Sequence, residues 1–577
     1  MDTLRKRSVT LLVASAVILV LAGAVFYHEY NKKTNPPDKP VFSNQSGMYD
    51  QDFQLTIEQK KGVDIYYTVD GSEPTKDSKK YTGPITITNA TQNPNDISAY
   101  DPGLISGRGI YATPMENVDK CTVIKAAAIN DNDISSDVVT NTYFVGINNE
   151  TYGKLPIISI SIDKSSLYDY KTGIYVLGEV YDEYMKENPY EEYSGGTQAN
   201  YNQRGKEWER KCHIQYFDTL GEECVSQDVG MRIQGMYSRM NYQKSFSIRS
   251  REEYGKSTIN YNFFGEGSEN SDYTMLSLQN IEENKYVDPY VSVLAEPLDL
   301  DTVNSYKAVI VFINGEYWGM YTLRPSVSVD YIARKYAIKE DDILLAKADG
   351  YGNYKIESGR ARDIGYFNKL IKYADTHDMS KDEYYEEVCE MMDVKSFASW
   401  FAAEIYLANN DCIKPERPDN NVKIWRTMMA NGKNEYYDGK WRWVLFDVDK
   451  GIGYKNDASY NDMQARALDE NPDSTMQQLF KDMIVNKQFR TIFETQFREL
   501  GTTIFNQDMV ALKWSDYALQ YTSQLDKYYK RFPVDMESQN KITERLNEIN
   551  VFFINRPFYV DTMLGSLDTY LKNNGIN

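Results

Sequence analysis

"KWRWVLFDVDKGIG", residues 440–453, is the segment on which the reading of the fold turns. Trp441, Trp443, Val444, Leu445 and Phe446 are the residues of a buried strand. The run ends on Asp447 and Asp449, and Gly451 and Gly453 break it. The chain differs on its two sides. Between about 154 and 343, short β-rich runs alternate with turns, as in "KLPIISISID" (154–163), "VGMRIQG" (229–235) and "YKAVIVFINGEYWGMYTL" (306–323). After Gly365 apolar residues recur every three or four positions, in "YFNKLIKYAD" (366–375) and "VKSFASWFAAEIYLAN" (394–409), and from Thr475 onward the pattern is nearly all helical. A β-rich lobe followed by a helical lobe, with a polar-ended strand between them, predicts an α+β architecture.

Upstream of that unit the chain changes character twice. Arg5, Lys6 and Arg7 precede an uncharged run from Val9 to Tyr27, about 28 Å long as a helix, which predicts a transmembrane anchor with residues 1–8 in the cytoplasm. "AGA" at 22–24 offers the alternative of a cleaved signal peptide. In either case the rest of the chain is exported. "KKTNPPDKP" makes 28–40 a linker. Residues 41–146 then read as a small all-β sandwich of short strands punctuated by Gly, Pro and Asn-Asp turns. The expected layout is therefore multidomain: transmembrane helix 9–27, β-sandwich 41–146, α+β domain 154–565 and a tail 566–577.

Composition narrows the chemistry. With 64 basic and 84 acidic side chains the net charge is −20, which disfavours nucleic acid as a partner. Three histidines, none beside another ligand type, make histidine zinc sites and a Ser-His-Asp triad poor candidates. Five cysteines form no CxxC pair. Cys212 and Cys224 flank a hairpin turn and leave open one bridge, but buried thiols are the simpler expectation.

The polar residues near the opening segment fall in a series. The helix 394–409 ends on Asn409, Asn410 and Asp411; a loop leads to Asn420 and Asn421; a strand later come Asp447 and Asp449. An aspartate, an amide and a strand-end aspartate could set a proton acceptor beside oxygen ligands for Mg²⁺. Aspartates at strand ends are also ordinary turn residues, and the spacing alone does not decide between the two.

Longer stretches carry a resemblance. "VGMRIQGMYSRMNYQKSFSIRSREEYG" (229–255), "AVIVFINGEYWGMYTLR" (308–324), "DNNVKIWR" (419–426) and the opening segment, in this order, resemble the CotH kinase family, relatives of the spore-coat kinase, over roughly 154–565. "IYYTVDGSEPT" (65–75) and "KKYTGPITI" (79–87) resemble chitobiase C-terminal-like β-sandwich modules. The first resemblance implies an atypical kinase-like fold that binds ATP and Mg²⁺ and phosphorylates protein Ser or Thr. It implies Asp411 as the catalytic aspartate, Asn421 (or Asn420), Asp447 and Asp449 as metal ligands, and Lys244 at the ATP phosphates, with Arg239 and Arg249 nearby. The implied partners are proteins of the cell surface or coat, the membrane through the N-terminal helix, and a wall glycan if the sandwich binds carbohydrate.

Departures from the family pattern set a second expectation. Where the family has "IRGNSS" this chain reads "IQGMYS" (233–238), so Gln234 replaces an arginine, and Pro325 stands where a glutamate is usual. Proline brings neither charge nor backbone N–H. The alternative function is thus a catalytically weak pseudokinase, acting as a surface scaffold or carbohydrate-associated wall protein.

Overall fold

In the computed structural model the described residues are 36–576, except 59, 61, 101–112, 195, 266–271, 302–304, 431, 433 and 534–535. The strand Lys307–Ile313 shows why the β-rich lobe reads as it does. Val309, Val311 and Ile313 point to one core and Ala308, Ile310 and Phe312 to another, so its run is apolar without alternation. The first core fills a closed seven-stranded barrel, ordered Ile157–Ser161, Arg210–Phe217, Glu223–Gln234, Ser245–Arg249, Met275–Asn280, Glu316–Pro325 and Lys307–Ile313. All pairings are antiparallel except the closing one, where Ile157–Ser161 runs parallel to Lys307–Ile313. Closure leaves no unpaired edge to aggregate.

The sandwich is docked on this barrel. Its five-stranded sheet is ordered Gly47–Tyr49, Val139–Val145, Thr122–Asn130, Val63–Thr68 and Lys79–Lys80. In Val139–Val145, Tyr143 and Val145 face the sandwich core, while Phe144 packs edge-on against Phe217 and Phe312, each 5.2 Å away. Thr142 donates to Gln215 at 2.6 Å, and the Glu316 carboxylate accepts the backbone N–H groups of Asp96 and Ser98 at 2.6 and 2.8 Å. All five cysteines are free, and Cys212 lies opposite Val229 rather than Cys224.

Beyond the barrel an antiparallel sheet, ordered Tyr354–Ser358, Ile343–Ala348, Lys423–Thr427 and Arg442–Val444, carries the opening segment. Behind it lies the buried helix Val394–Tyr406, with Phe397 4.7 Å from Trp443 and Phe401 stacked on Phe480 at 4.3 Å. Helices from Thr475 to Asn573 complete the lobe.

The fold class expected from sequence needs one correction. The predicted transmembrane run 9–27 lies outside the described residues, and among these no helix is long and apolar enough to cross a membrane. The apolar helix Val394–Tyr406 has only 13 residues. The 20-residue helix Met536–Asn555 is long enough but carries Lys541, Glu544, Arg545 and Glu548. The described architecture is a β-sandwich, a closed barrel and a helical lobe with its own small sheet.

Candidate functional site

The turn after the strand Arg442–Val444 delivers Asp447 to a cleft between the barrel and the small sheet. The cleft measures about 430 Å³. The barrel contributes Gln234, Ser245, Ser277 and Arg324; the small sheet contributes Lys347 and Lys423; loops add Arg204, Arg417, Asn421 and Asp447. Six basic side chains (with Lys285) and three acidic ones (Asp288, Asp349, Asp447) line it, the reverse of the chain's net −20. Such a concave basic surface concentrates anions.

Asp447 lines the cleft, and buried Asp449 is joined to Asp447 through Lys285. Lys285 places its Nζ 3.0 Å from Asp447 Oδ1 and 2.8 Å from Asp449 Oδ2. Asp447 keeps 35% of its side chain open, whereas Asp449 keeps 2%. Burial opposes ionisation of Asp447, but the Lys285 ammonium outweighs it and holds the carboxyl below its usual range. Asp449 is pushed up, first by burial and then by the Asp447 charge, against the pull of Lys285. Asp447 and Asn421 both have left-handed backbones, φ 58° and 56°. Non-glycine residues pay for that conformation, and such strain gathers at functional sites.

Asp411 stands beside Asn421, whose Nδ2 lies 3.4 Å from Asp411 Oδ2; Lys414 reaches Oδ1 at 2.9 Å. The loops are held from behind by arginines of the helical lobe. Arg545 donates to the carbonyls of Gly451 and Ile452 at 2.8 Å each, which fixes the turn after Asp449 although Ile452 is β-branched and has φ 54°. Arg466 donates to the carbonyl of Ile413 and to Asn410 Oδ1, at 2.9 and 2.7 Å.

Glu404, in the last turns of the helix before Asp411, is 1% exposed and accepts from Asn409 Nδ2 at 2.9 Å. Burial raises its pKa to about 8. Its folded pKa lies above the ordinary value, so its stabilising contribution is complete below about pH 4.5 and drains away as pH rises through 8. Glu404→Gln, which cannot ionise, is therefore expected to flatten this dependence. Thermal unfolding between pH 6 and pH 9 should show a falling midpoint for the wild type and a much smaller fall for the variant; parallel curves would refute the assignment.

Of the four residues that the resemblance implied, Asn421 and Asp447 line the cleft; Asp411 is held by Asn421, and Asp449 is joined to Asp447 through Lys285. The structure puts Lys244, Arg239 and Arg249 elsewhere: none of them lines the cleft. Lys244 is fully buried, donates to the carbonyls of Arg239 and Asn241, and lies 4.1 Å from the Tyr201 ring centroid. Arg239 spends its guanidinium on the carbonyls of Gly235, Tyr201 and Gln203. Arg249 is held on the barrel wall between Gly230 and Met275. The cleft's cations are instead Lys285, Arg324, Lys347, Arg417, Lys423 and Arg204, which sequence reasoning missed. One signal was present: in "NKYVD" (284–288), Lys285 and Asp288 sit one helical turn apart at the start of Val287–Leu294. Asp288 receives the Val448 N–H at 3.0 Å and pairs with buried Arg324, tying that helix to the acidic turn.

The donor set suits magnesium. Asp447, Asp449 and the Asn421 carboxamide offer oxygen only, and Mg²⁺ takes one or two protein carboxylates and completes its shell with phosphate and water. Among the described residues no three His, Cys, Asp or Glu side chains gather as a metal cage, so phosphate oxygens would have to supply the remaining ligands.

Comparison with known families gives two matches. Residues 231–560, more than half of the chain, match the family described as CotH kinase protein, and residues 53–143 match the one described as Fn3 associated. The second lies within the β-sandwich, for which a chitobiase-like module was the sequence expectation. No curated protein matches the chain.

Proposed function

The chain belongs to the CotH kinase protein family, and from that premise we propose that it transfers the γ-phosphoryl group of ATP to Ser or Thr hydroxyls of proteins. The observation that carries this reading is that Asn421 and Asp447 line a basic cleft, with Asp411 held by Asn421 and Asp449 joined to Asp447 through Lys285. Lys347, Arg417 and Arg204 line that cleft, and none has a carboxylate at ion-pair distance among the described residues, so they are the groups that would hold phosphate oxygens. Asp447, Asp449 and Asn421 would hold Mg²⁺. The bound metal would offset negative charge on the phosphates during transfer. Asp411 would accept the hydroxyl proton as the oxygen attacks the γ-phosphorus and ADP departs. The apolar run 9–27 behind Arg5, Lys6 and Arg7 supports export, which would make the acceptors surface or coat proteins.

A scaffold with weak transfer is the competing reading. It draws on Gln234, Met236 and Pro325, which all line the cleft and supply no positive charge there. The two separate on ligand binding. Residues 41–577 should bind ATP in a Mg²⁺-dependent way by calorimetry, and Asp447→Ala should weaken that binding at least tenfold. No binding at millimolar ATP and Mg²⁺ would leave the scaffold.

A further inference from the structure

We propose that Lys285 is a built-in counter-ion at Asp447 and Asp449, which a divalent cation must displace, so that metal binds weakly alone and tightly only together with a polyphosphate. The inference rests on the phosphotransfer reading of the cleft, and it concerns how the site is loaded. The ammonium contacts one oxygen of each carboxylate, at 3.0 and 2.8 Å. A Mg²⁺ ion ligated by the same two groups needs its oxygens at roughly 2.0–2.1 Å, in the space Lys285 Nζ now holds. Two cations cannot share it, because at such separations their repulsion is strong even in a half-buried site.

The pair is well matched as it stands. Asp449 is 2% exposed and Lys285 20%, so removing Lys285 leaves the Asp449 carboxylate buried without this counter-ion. A metal arriving alone must therefore displace Lys285 and leave its ammonium without an anion. A polyphosphate changes this. Lys285 lines the open cleft, and its long flexible stem lets the ammonium swing from the carboxylates to a phosphate oxygen while the metal takes its place. The backbone need not move: Asp288, three residues on, stays locked to Arg324 and the Val448 N–H. Metal and polyphosphate then favour each other's binding through one side chain, as linkage requires.

Mn²⁺ binding to the full chain, followed by electron paramagnetic resonance with Mn²⁺ held by ATP in solution subtracted, tests this without any turnover. Wild-type protein should bind Mn²⁺ at least tenfold tighter with ATP than without. Lys285→Gln should bind Mn²⁺ alone at least tenfold tighter than wild type and gain little from ATP, whereas Lys285→Arg should behave as wild type. The wild-type comparison stands even if a variant does not fold. If Lys285→Gln binds Mn²⁺ no better than a wild type that does take up Mn²⁺ with ATP, the counter-ion role is overturned and the phosphotransfer reading survives. If no form binds Mn²⁺ with or without ATP, both fall together.

Discussion

Arg556→Ala is expected to cost the protein on the order of 3–5 kcal/mol, enough to unfold much of the helical lobe at growth temperature. All five of its N–H groups are used: Nε on the carbonyl of Tyr406, Nη1 on those of Ala458 and Tyr460, and Nη2 on that of Ile405 and on Asp462. The side chain is fully buried, so no water can replace these bonds. Tyr406 and Ile405 end the helix that leads to Asp411, where carbonyls lack intrahelical partners. Asp462 also accepts from Arg466, which holds the next part of the same loop. Removing the guanidinium would therefore leave four carbonyls and a carboxylate short of a donor. Urea denaturation followed by far-UV circular dichroism measures the loss. Arg556→Lys should recover only a small part of it, because an ammonium cannot reproduce the planar fork. A midpoint within experimental scatter of wild type for Arg556→Ala would refute this account.

What could be read from the sequence, and what could not, follows from where each feature's determinants lie. Strand and helix character is local. Short β-rich runs between turns identified the β-rich lobe, a period of three or four the helical lobe, and the run of Trp and apolar residues at 441–446 marked the strand between them. Barrel closure is not local. Ile157–Ser161 pairs in parallel with Lys307–Ile313, some 150 residues away, and no turn signal records such a pairing. Docking of the sandwich was hidden for a related reason: Phe144 and Thr142 look like ordinary strand residues until Phe217 and Gln215 are placed against them. At the cleft, Asn420, Asn421 and Asp447 could be picked out because short loops carry them within thirty residues. The cations could not. Lys285, Arg324, Lys347 and Arg417 come from four separate segments, and only the fold assembles them. Lys244 misled because a lysine inside a motif invites a ligand, whereas here backbone carbonyls and the rings of Tyr201 and Tyr175 satisfy it.

Asp411→Asn should separate binding from chemistry more sharply than any other single change. The substitution keeps the shape of the side chain and one oxygen, so the neighbouring loop, tied by Asn420 Nδ2 to the Asp411 carbonyl at 2.9 Å and by the Asp411 N–H to Asn409 Oδ1 at 3.1 Å, has no reason to move. Asp447, Asp449 and the cleft-lining Lys347 are untouched, so Mg²⁺-dependent ATP affinity should stay within about threefold of wild type. What is lost is the proton acceptor. A positioned general base contributes about 10²–10⁴-fold to rate, and labelled phosphate passing from ATP to the chain itself or to a generic acceptor protein should fall by that factor. Lys414, 2.9 Å from Asp411 Oδ1, helps aim the carboxylate, so Lys414→Ala should lower transfer less, while Asp411→Glu, with its longer reach, should not restore it. Transfer by Asp411→Asn at the wild-type rate with unchanged affinity would remove Asp411 from the chemistry and leave the cleft as a nucleotide site alone. Loss of affinity and transfer together would instead make Asp411 part of the binding surface. The two measurements must be made on the same preparation, since only their ratio assigns the role.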